Sequence, residues 1–177
     1  MTEYRFTVPT LETSRLLLRD WREDDLDGLT EICADENHTR YIGGAMPRYD
    51  VWRMICQRIG QWAIRGYAMF ALEEKETGAF AGYCGPHFPF GWPEPEIGWT
   101  LHPAHQGKGY ATEAARASLK FAYEVLGWET AMSLIDKDNL ASRGVAQRLG
   151  ATYESTQEVT SFTADLYRHL PPSQFLQ

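Results

Sequence analysis

The sequence predicts an α/β or α+β layer structure, because candidate strands and helices alternate along the chain. Its 177 residues correspond to one domain and can bury roughly 70% of the surface that the unfolded chain exposes. Hydrophobic residues make up 44% and aromatic residues 13% of the chain, which excludes a disordered protein. We therefore expect a single domain over residues 1–177, with a core of about 11–170 and short tails.

Composition also excludes several classes of function. The chain has 17 Lys and Arg against 24 Asp and Glu, a net charge of −7, so it lacks the basic face that general nucleic-acid binding requires. The longest apolar run, Tyr67–Leu72, is far shorter than the ~20 residues that span a bilayer. The three cysteines form no CxxC pair, which argues against a disulfide framework or a zinc site. We expect a cytoplasmic protein with no metal, no nucleic-acid partner and no membrane association.

The first half of the chain predicts two strands and two helices before a third strand. The predicted elements, in order, are a strand at Ser14–Trp21, a helix with Leu26, Leu29, Ile32 and Cys33 on one face, a helix that Asp50 caps and Gly66 ends, and strands at Tyr67–Glu73 and Ala79–Cys84. The stretch Gly78–Pro93 has no Asp, Glu, Lys or Arg, and its prolines and glycines forbid a regular helix. We expect an aromatic turn region there, followed by a return strand at Glu96–Leu101.

The second half predicts three more strands and two helices. In order, these are a loop at His102–Gly109, a helix at Tyr110–Leu126 that Gly127 ends, a strand at Thr130–Ile135, a short helix that Asn139 caps and Gly150 ends, closing strands at Ala151–Val159 and Ser161–Leu170, and a tail from Pro171 onward.

The segment Gln106–Ala111 (QGKGYA) follows a strand and opens a helix. Its two glycines allow positive φ and leave backbone N–H groups uncovered, and the first helical turn adds more unpaired N–H groups. Together they predict an anion cradle sized for phosphate, beside which Lys108 adds a mobile positive charge. The P-loop pattern is absent because Lys108 precedes Gly109, and Thr112 stands where a dinucleotide loop has its third glycine. A glycine-rich turn without a ligand is the alternative.

The chain resembles the GCN5-related N-acetyltransferase superfamily (GNAT), whose cofactor loop reads Q/R-x-x-G-x-G/A. Gln106–Ala111 fits this pattern. Three further segments resemble the superfamily in order and spacing: Glu96–Leu101 (EIGWTL), Asp136–Ser142 (DKDNLAS) and Leu149–Ala151 (LGA). The opening Leu11–Arg19 (LETSRLLLR) is similar to the RimJ/RimL-type branch, which acetylates protein N-termini.

The resemblance implies a mixed, mostly antiparallel central sheet of about seven strands flanked by about four helices. Acetyl-CoA would lie between the fourth and fifth strands, with its pyrophosphate on the backbone of Gly107–Thr112 and its pantetheine arm along the main chain of Trp99 and Leu101. Asn139 would also contact the arm. The full expected cofactor-binding set is Trp99, Thr100, Leu101, Gln106, Gly107, Lys108, Gly109, Tyr110, Ala111, Thr112, Asn139 and Ser142.

Direct attack of an amine on the thioester needs a base for the amine and an acid for the leaving thiolate. We expect Glu96 to be the base, with Glu94 as the fallback. The superfamily often has a tyrosine acid seven residues after the asparagine, but Ala146 stands there, and Ser142 resembles the serine acid of the Rim-type branch. The alternatives are structural: Glu96 as a solvated charge at a strand end, and Asn139 and Ser142 as ordinary residues of a helix start.

The expected function is an acetyl-CoA-dependent N-acetyltransferase acting on a primary amine, with a protein or peptide N-terminus as the favoured acceptor. A small-molecule amine, a non-catalytic acyl-CoA sensor and a nucleotide-binding module are the alternatives, and a homodimer is left open. Neither a metal at His102 and His105 nor an acetylated Cys84 is expected, since the surrounding residues supply no further ligand or base. The aromatic residues of the uncharged stretch either pack a hairpin or form a wall of the acceptor pocket: Phe80, Tyr83, His87, Phe88, Phe90 and Trp92.

Overall fold

A computed structural model describes residues 6–159 and 162–177. Within them, eight strands form one sheet in the order β1-β2-β3-β4-β5-β6-β8-β7. The strands are β1 (Leu11–Glu12), β2 (Leu16–Arg19), β3 (Phe70–Glu74), β4 (Phe80–His87), β5 (Glu96–Leu101), β6 (Met132–Ile135), β7 (Thr152–Val159) and β8 (Phe162–Arg168). The helices are α1 (Asp25–Ala34), α2 (Glu36–Thr39), α3 (Arg48–Arg65), α4 (Tyr110–Glu124), α5 (Leu140–Arg148) and α6 (Pro172–Phe175), and a 3₁₀ turn spans Pro103–His105.

The mixed, mostly antiparallel sheet confirms the expected fold class. The strand and helix counts exceed the expected seven and four because of short elements: the two-residue β1 and the four-residue α2 and α6. None of the helices in the described part of the chain has the length and apolar character needed to cross a membrane.

Strands β5 and β6 are the parallel pair in this sheet, and they separate soon after they meet. Their ladder contains the single pair Glu96 and Met132, whereas β5 pairs with β4 along its whole length. The Ser133 hydroxyl bridges the two strands by donating a hydrogen bond to the Ile97 carbonyl at 2.6 Å. Beyond this point the edge of β5 that faces β6 is not paired, so the sheet opens.

The sheet buries two different layers on its two faces. Residues alternate across a strand, so Phe70 packs with the α4 side while its neighbours Met69 and Ala71 pack with the α1–α3 side. Helix α4 lies against β4 and β5, and small residues such as Ala114 and Ala115 on its inner face are fully buried. This close approach fixes the start of α4 beside the open edge of β5.

Two predicted boundaries in the first half of the chain were wrong. Helix α3 begins at Arg48 after Pro47, because proline has a helix-compatible φ and needs no hydrogen-bond acceptor there. Asp50 therefore lies in the first turn rather than at the cap, and it contacts Arg53. The strand expected at Ala79–Cys84 continues to His87, because every residue there pairs with β5.

The C-terminal segment is not a simple tail. Helix α6 covers Pro172–Phe175, and the Phe175 ring packs edge-on against Tyr123 of α4 with 5.6 Å between ring centroids. This contact partly buries the Phe175 side chain and holds α6 against α4. Gly66 and Gly150 end their helices with positive φ, as predicted. The helix predicted to reach Leu126 ends earlier, at Glu124, so Gly127 lies beyond its end. Strand β8 is described from Phe162, and its predicted start at Ser161 lies outside the described residues.

Candidate active site

Backbone amides at the start of α4 form an open cradle. Gly107 and Gly109 adopt left-handed conformations, with φ of 73° and 81°, and the helix begins at the next residue. In the described part of the chain, no protein acceptor lies within hydrogen-bond reach of the backbone N–H groups of 107–112, and the first satisfied N–H of the helix is that of Glu113. Unpaired N–H groups and the positive end of the helix dipole make this segment an anion site.

The cradle faces a groove of about 620 Å³. One wall is the loop and the first turn of α4, and the opposite wall is the start of α5, including Asn139 and Ser142. Arg148, at the end of α5, donates a hydrogen bond to the Thr112 hydroxyl at 3.1 Å and lines the same groove. The sequence analysis missed this second cation, because nothing in the sequence places the end of α5 beside the start of α4.

The cradle is held in place by the N-terminal strand segment. The Glu113 carboxylate accepts hydrogen bonds from the Thr13 and Ser14 hydroxyls and from the Arg15 backbone and Nε, all at 2.6–2.9 Å. The Arg15 guanidinium also donates to the Lys108 carbonyl at 2.8 Å. Burial alone would raise the pKa of Glu113, but these hydrogen bonds outweigh it and lower the pKa to about 2.

The side chain of Lys108 does not line the groove. Its ammonium lies 3.4 Å from the Glu74 carboxylate and over the ring of Tyr110, whose hydroxyl donates a hydrogen bond to the same carboxylate at 2.6 Å. The structure thus places the Lys108 ammonium toward Glu74 and not toward the groove, and its role beside an anion stays a prediction. The backbone N–H of Lys108 remains part of the cradle.

A second cavity of about 670 Å³ continues from the groove at the opening between β5 and β6. Residues that line both spaces are Tyr41, Ile42, Trp99, Thr100, Asn139 and Ser142. The junction of the two spaces is therefore lined by β5 and by the start of α5. A ligand in the groove and a second ligand in the cavity would meet there.

Glu96 lies in the second cavity and is 7% exposed. Its carboxylate accepts hydrogen bonds from the Leu134 backbone N–H at 3.0 Å and from Trp92 Nε1 at 2.6 Å. Burial raises the pKa of Glu96 to about 7, although the two hydrogen bonds oppose the shift. Glu96 is thus not a solvated strand-end charge, and a carboxylate that titrates near neutral pH suits a general base.

Glu94 forms a salt bridge with Arg168 outside the cavity. Its carboxylate accepts two hydrogen bonds from the Arg168 guanidinium, one of them at 2.9 Å, and it does not line the cavity. The hydrogen bonds from Arg168 lower the pKa of Glu94. A carboxylate held in this way is a weak base, so the geometry favours Glu96 over the fallback.

The start of α5 brings Asn139 and Ser142 to the junction of the two spaces. The Asn139 side-chain oxygen accepts the Ser142 backbone N–H at 3.1 Å, which caps the helix. The Ser142 hydroxyl makes no hydrogen bond within the described residues. Ala146, one turn further on, is fully buried and lines neither space.

The aromatic residues of the uncharged stretch separate into two groups. Tyr83, His87 and Trp92 line the second cavity. Phe80 packs against Trp21 in the core of the α1–α3 side, and Phe90 is 99% exposed. The stretch therefore contributes side chains both to the core and to the wall of the second cavity.

The surroundings of Cys84 and of the two histidines near the cradle, His102 and His105, indicate structural roles. Burial raises the pKa of the Cys84 thiol to about 12, far from that of a reactive nucleophile. His102 contacts Glu31, and His105 stacks on Tyr110. Across residues 6–159 and 162–177, no group of three or more His, Cys, Asp or Glu side chains is arranged to hold a metal ion.

The sheet thus opens between its two parallel strands, and the helix-start anion cradle lies at the opening. The chain belongs to the acetyltransferase (GNAT) domain family, whose family model matches residues 15–152. An acetyltransferase from Agrobacterium tumefaciens str. C58 has a similar structure, with 30% sequence identity and a TM-score of 0.85 over 96% of this chain and 99% of that one.

Two more distant structures share the fold. RimL, a ribosomal L7/L12 α-N-protein acetyltransferase solved in complex with coenzyme A, is 16% identical with a TM-score of 0.76, over 92% of this chain and 98% of that one. A spermidine N-acetyltransferase from Vibrio cholerae, in complex with coenzyme A and spermine, is 17% identical with a TM-score of 0.74, over 93% of this chain and 100% of that one. At these identities the likeness concerns the fold.

Proposed function

We propose that this chain is an acetyl-CoA-dependent N-acetyltransferase, built as one domain, that transfers the acetyl group directly to a primary amine. The observation that carries the proposal is the run of six backbone N–H groups, 107–112, beside the opened sheet, for which residues 6–159 and 162–177 supply no acceptor. Such a cradle fits a pyrophosphate, and Arg148 adds a cation at the groove. The pantetheine arm would follow the unpaired edge of β5 at Trp99 and Leu101 toward the second cavity.

The two polar side chains near the junction have complementary roles in this proposal. Glu96 accepts the proton of the attacking amine, directly or through one water, as the nitrogen–carbon bond forms. Ser142 donates a proton to the sulfur as the carbon–sulfur bond breaks. The position of Glu96 in the cavity and of Ser142 at the junction supports this order, because the acceptor and the thioester would approach from opposite sides.

The proposed acceptor is an α-amino group. Its pKa of about 7.7–8.0 leaves about a tenth of it neutral at pH 7, whereas a lysine amine near 10.4 is neutral only about once in several thousand molecules. A base with a pKa of about 7 matches the first and is weak for the second. RimL acts on a protein α-amino group, as its name states, so a protein or peptide N-terminus is the proposed class. A small amine is the second candidate because a cavity of about 670 Å³ can hold one.

The proposal is tested in two steps with the purified protein. Thermal shift against acetyl-CoA, coenzyme A, ATP and NAD identifies the ligand class, since a ligand that binds the folded state raises the melting temperature. We expect stabilisation by the two thioester-carrier ligands only, and stabilisation by ATP or NAD alone would contradict the assignment. Thiol release is then measured with a short peptide, its N-terminally blocked form and spermidine. Release with the free peptide supports the enzyme, whereas binding without release for any amine indicates a sensor.

A further inference from the structure

Arg58 of α3 is a buried cation in the wall of the second cavity. It is 7% exposed and lines the cavity with Glu96 and His87. Within the described residues no carboxylate forms an ion pair with it, and its Nε has no hydrogen-bond partner. A buried charge without a counter-charge is costly, so an unpaired guanidinium in a cavity wall calls for an explanation.

The groups around Arg58 do not neutralise its charge. Its terminal nitrogens contact the sulfur atoms of Met69 at 3.0 Å and Met54 at 3.3 Å, and thioethers are weak acceptors. The ring of Tyr83 lies 4.3 Å from the guanidinium carbon. The Tyr83 hydroxyl and the Cys33 thiol also face it, and burial raises the pKa of that thiol above its ordinary value.

His87 does not supply a counter-charge for Arg58 either. Burial, followed by the charges of Arg58 and Arg65, lowers the pKa of His87 to about 3, so its ring is neutral. The Nδ1 atom of His87 is also buried without a partner. The cavity thus holds two unsatisfied polar groups, one cationic and one neutral, in a wall lined also by Met54, Met69 and Tyr83.

We propose that Arg58 binds a carboxylate of the acceptor, so that the acceptor is a compact α-amino compound carrying its own carboxylate. This inference rests on the proposed function, because it assigns the second cavity to the acceptor. Glu96 would receive the amine and Arg58 the carboxylate, which gives the cavity one negative and one positive contact. A polyamine has no group for Arg58 and brings extra positive charge beside it. The N-terminal residue of a protein has its carboxyl group in a peptide bond, so it has no group for Arg58 either. The inference therefore disfavours both of these acceptor classes and narrows the proposed α-amino acceptor to a free amino acid or a short peptide.

The inference is tested by calorimetry in the presence of coenzyme A. The probes are the common L-amino acids, each compared with its carboxamide, which keeps the amine and the side chain but lacks the negative charge. We expect at least one amino acid to bind about tenfold more tightly than its carboxamide. A dipeptide with the same first residue distinguishes a free amino acid from a short peptide as the source of the carboxylate. The absence of any preference for the carboxylate would overturn the inference.

Variants of the cavity wall assign the preference to one residue. Arg58→Met is expected to weaken binding of the preferred amino acid about 30- to 100-fold and to leave its carboxamide within about threefold, because a charge-assisted hydrogen bond is lost. Arg58→Lys keeps the charge and is expected to retain part of the preference. Arg53→Met, on the exposed side of the same helix, is the matched control and should bind as the parent does.

Two results separate the possible failures. Arg40 also lines the cavity, so loss of the preference in Arg40→Met but not in Arg58→Met would overturn the assignment to Arg58. Equal loss of binding for amino acid and carboxamide in Arg58→Met, with coenzyme A binding intact, would show a packing role and overturn it as well. Acetylation of amines with no carboxylate preference would leave the proposed function standing, whereas absent coenzyme A binding would remove the proposed function itself.

Discussion

The groove at the start of α4 and the cavity beside Glu96 are adjacent but built in different ways. The groove presents mainly backbone N–H groups from one continuous segment, 107–112. The cavity presents side chains from α3, β4, β5 and β6, which lie far apart in the sequence. A site built from backbone groups therefore tolerates many side-chain substitutions but not a change of backbone conformation. A site built from side chains can lose its ligand through a single substitution.

The substitution with the largest expected effect disrupts the backbone site in the groove. Gly109→Asp places a carboxylate in the cradle at a position with φ of 81°, so both charge repulsion and strain oppose the ligand. We expect coenzyme A affinity to fall at least about 100-fold, which corresponds to about 2.7 kcal/mol. Gly66→Asp has a similar φ of 75° far from the groove and is the matched control for strain. Equal coenzyme A affinity in Gly109→Asp and the parent would exclude the cradle as the phosphate site.

The substitution with the next largest expected effect disrupts the side-chain site in the cavity. Glu96→Gln removes the proposed base and is expected to lower kcat/KM by about 10²-fold while leaving coenzyme A affinity within about twofold. The parent activity should fall as the pH drops below about 7, because a base with a raised pKa of about 7 is protonated there. The variant should lose this pH dependence.

Glu94→Gln is the matched control for that change. Glu94 pairs with Arg168 outside the cavity, so its variant should keep the parent pH profile. An unchanged profile in Glu96→Gln, or a lost profile in Glu94→Gln, would assign the base elsewhere.

A smaller effect is expected at the junction of the two sites. Ser142→Ala should reduce kcat about 10- to 100-fold because the leaving sulfur loses its proton donor, with little change in coenzyme A affinity. Ser155→Ala on β7 is the control, since Ser155 lines neither space. If Ser142→Ala turned over acetyl-CoA at the parent rate, another group would have to protonate the sulfur.

The smallest effect concerns what holds the cradle in place. Glu113→Gln weakens its hydrogen bonds with Thr13, Ser14 and Arg15, and we expect the free energy of unfolding at pH 7 to fall by about 2 kcal/mol.

The pH dependence of that loss has a definite sign. The folded pKa of about 2 lies below the ordinary 4.5, so the contribution is present above about pH 4.5 and is lost as the pH falls through 2. Urea unfolding between pH 2 and 7 measures it. The exposed Glu124→Gln on the same helix should show no such difference, and a constant gap between Glu113→Gln and the parent across this range would contradict the account.

The same contrast explains what the sequence could predict. The cradle was predictable because its two glycines, the following helix and the absent prolines all lie within Gln106–Thr112. The strand Glu96–Leu101 and the cap at Asn139 were also predicted with correct bounds, since local patterns determine them. Local signals of this kind need no knowledge of the tertiary contacts.

The rest depended on contacts between distant segments. Arg58 was not singled out, because on sequence alone it is one charged residue of an amphipathic helix, and its burial comes from packing on Tyr83. Arg148 and the Glu74 contact of Lys108 likewise follow from where α5 and β3 end. The raised pKa of Glu96 required knowledge of its burial, although its identity as a candidate base did not.

The central claim is that the backbone N–H groups of 107–112 bind the pyrophosphate of an acyl carrier. Calorimetric comparison of coenzyme A with pantetheine, which has the same thiol arm but no phosphates, tests it directly. The account predicts that coenzyme A binds at least about 100-fold more tightly, since charge-assisted hydrogen bonds to phosphate supply most of the affinity. Equal affinity for the two compounds would contradict it.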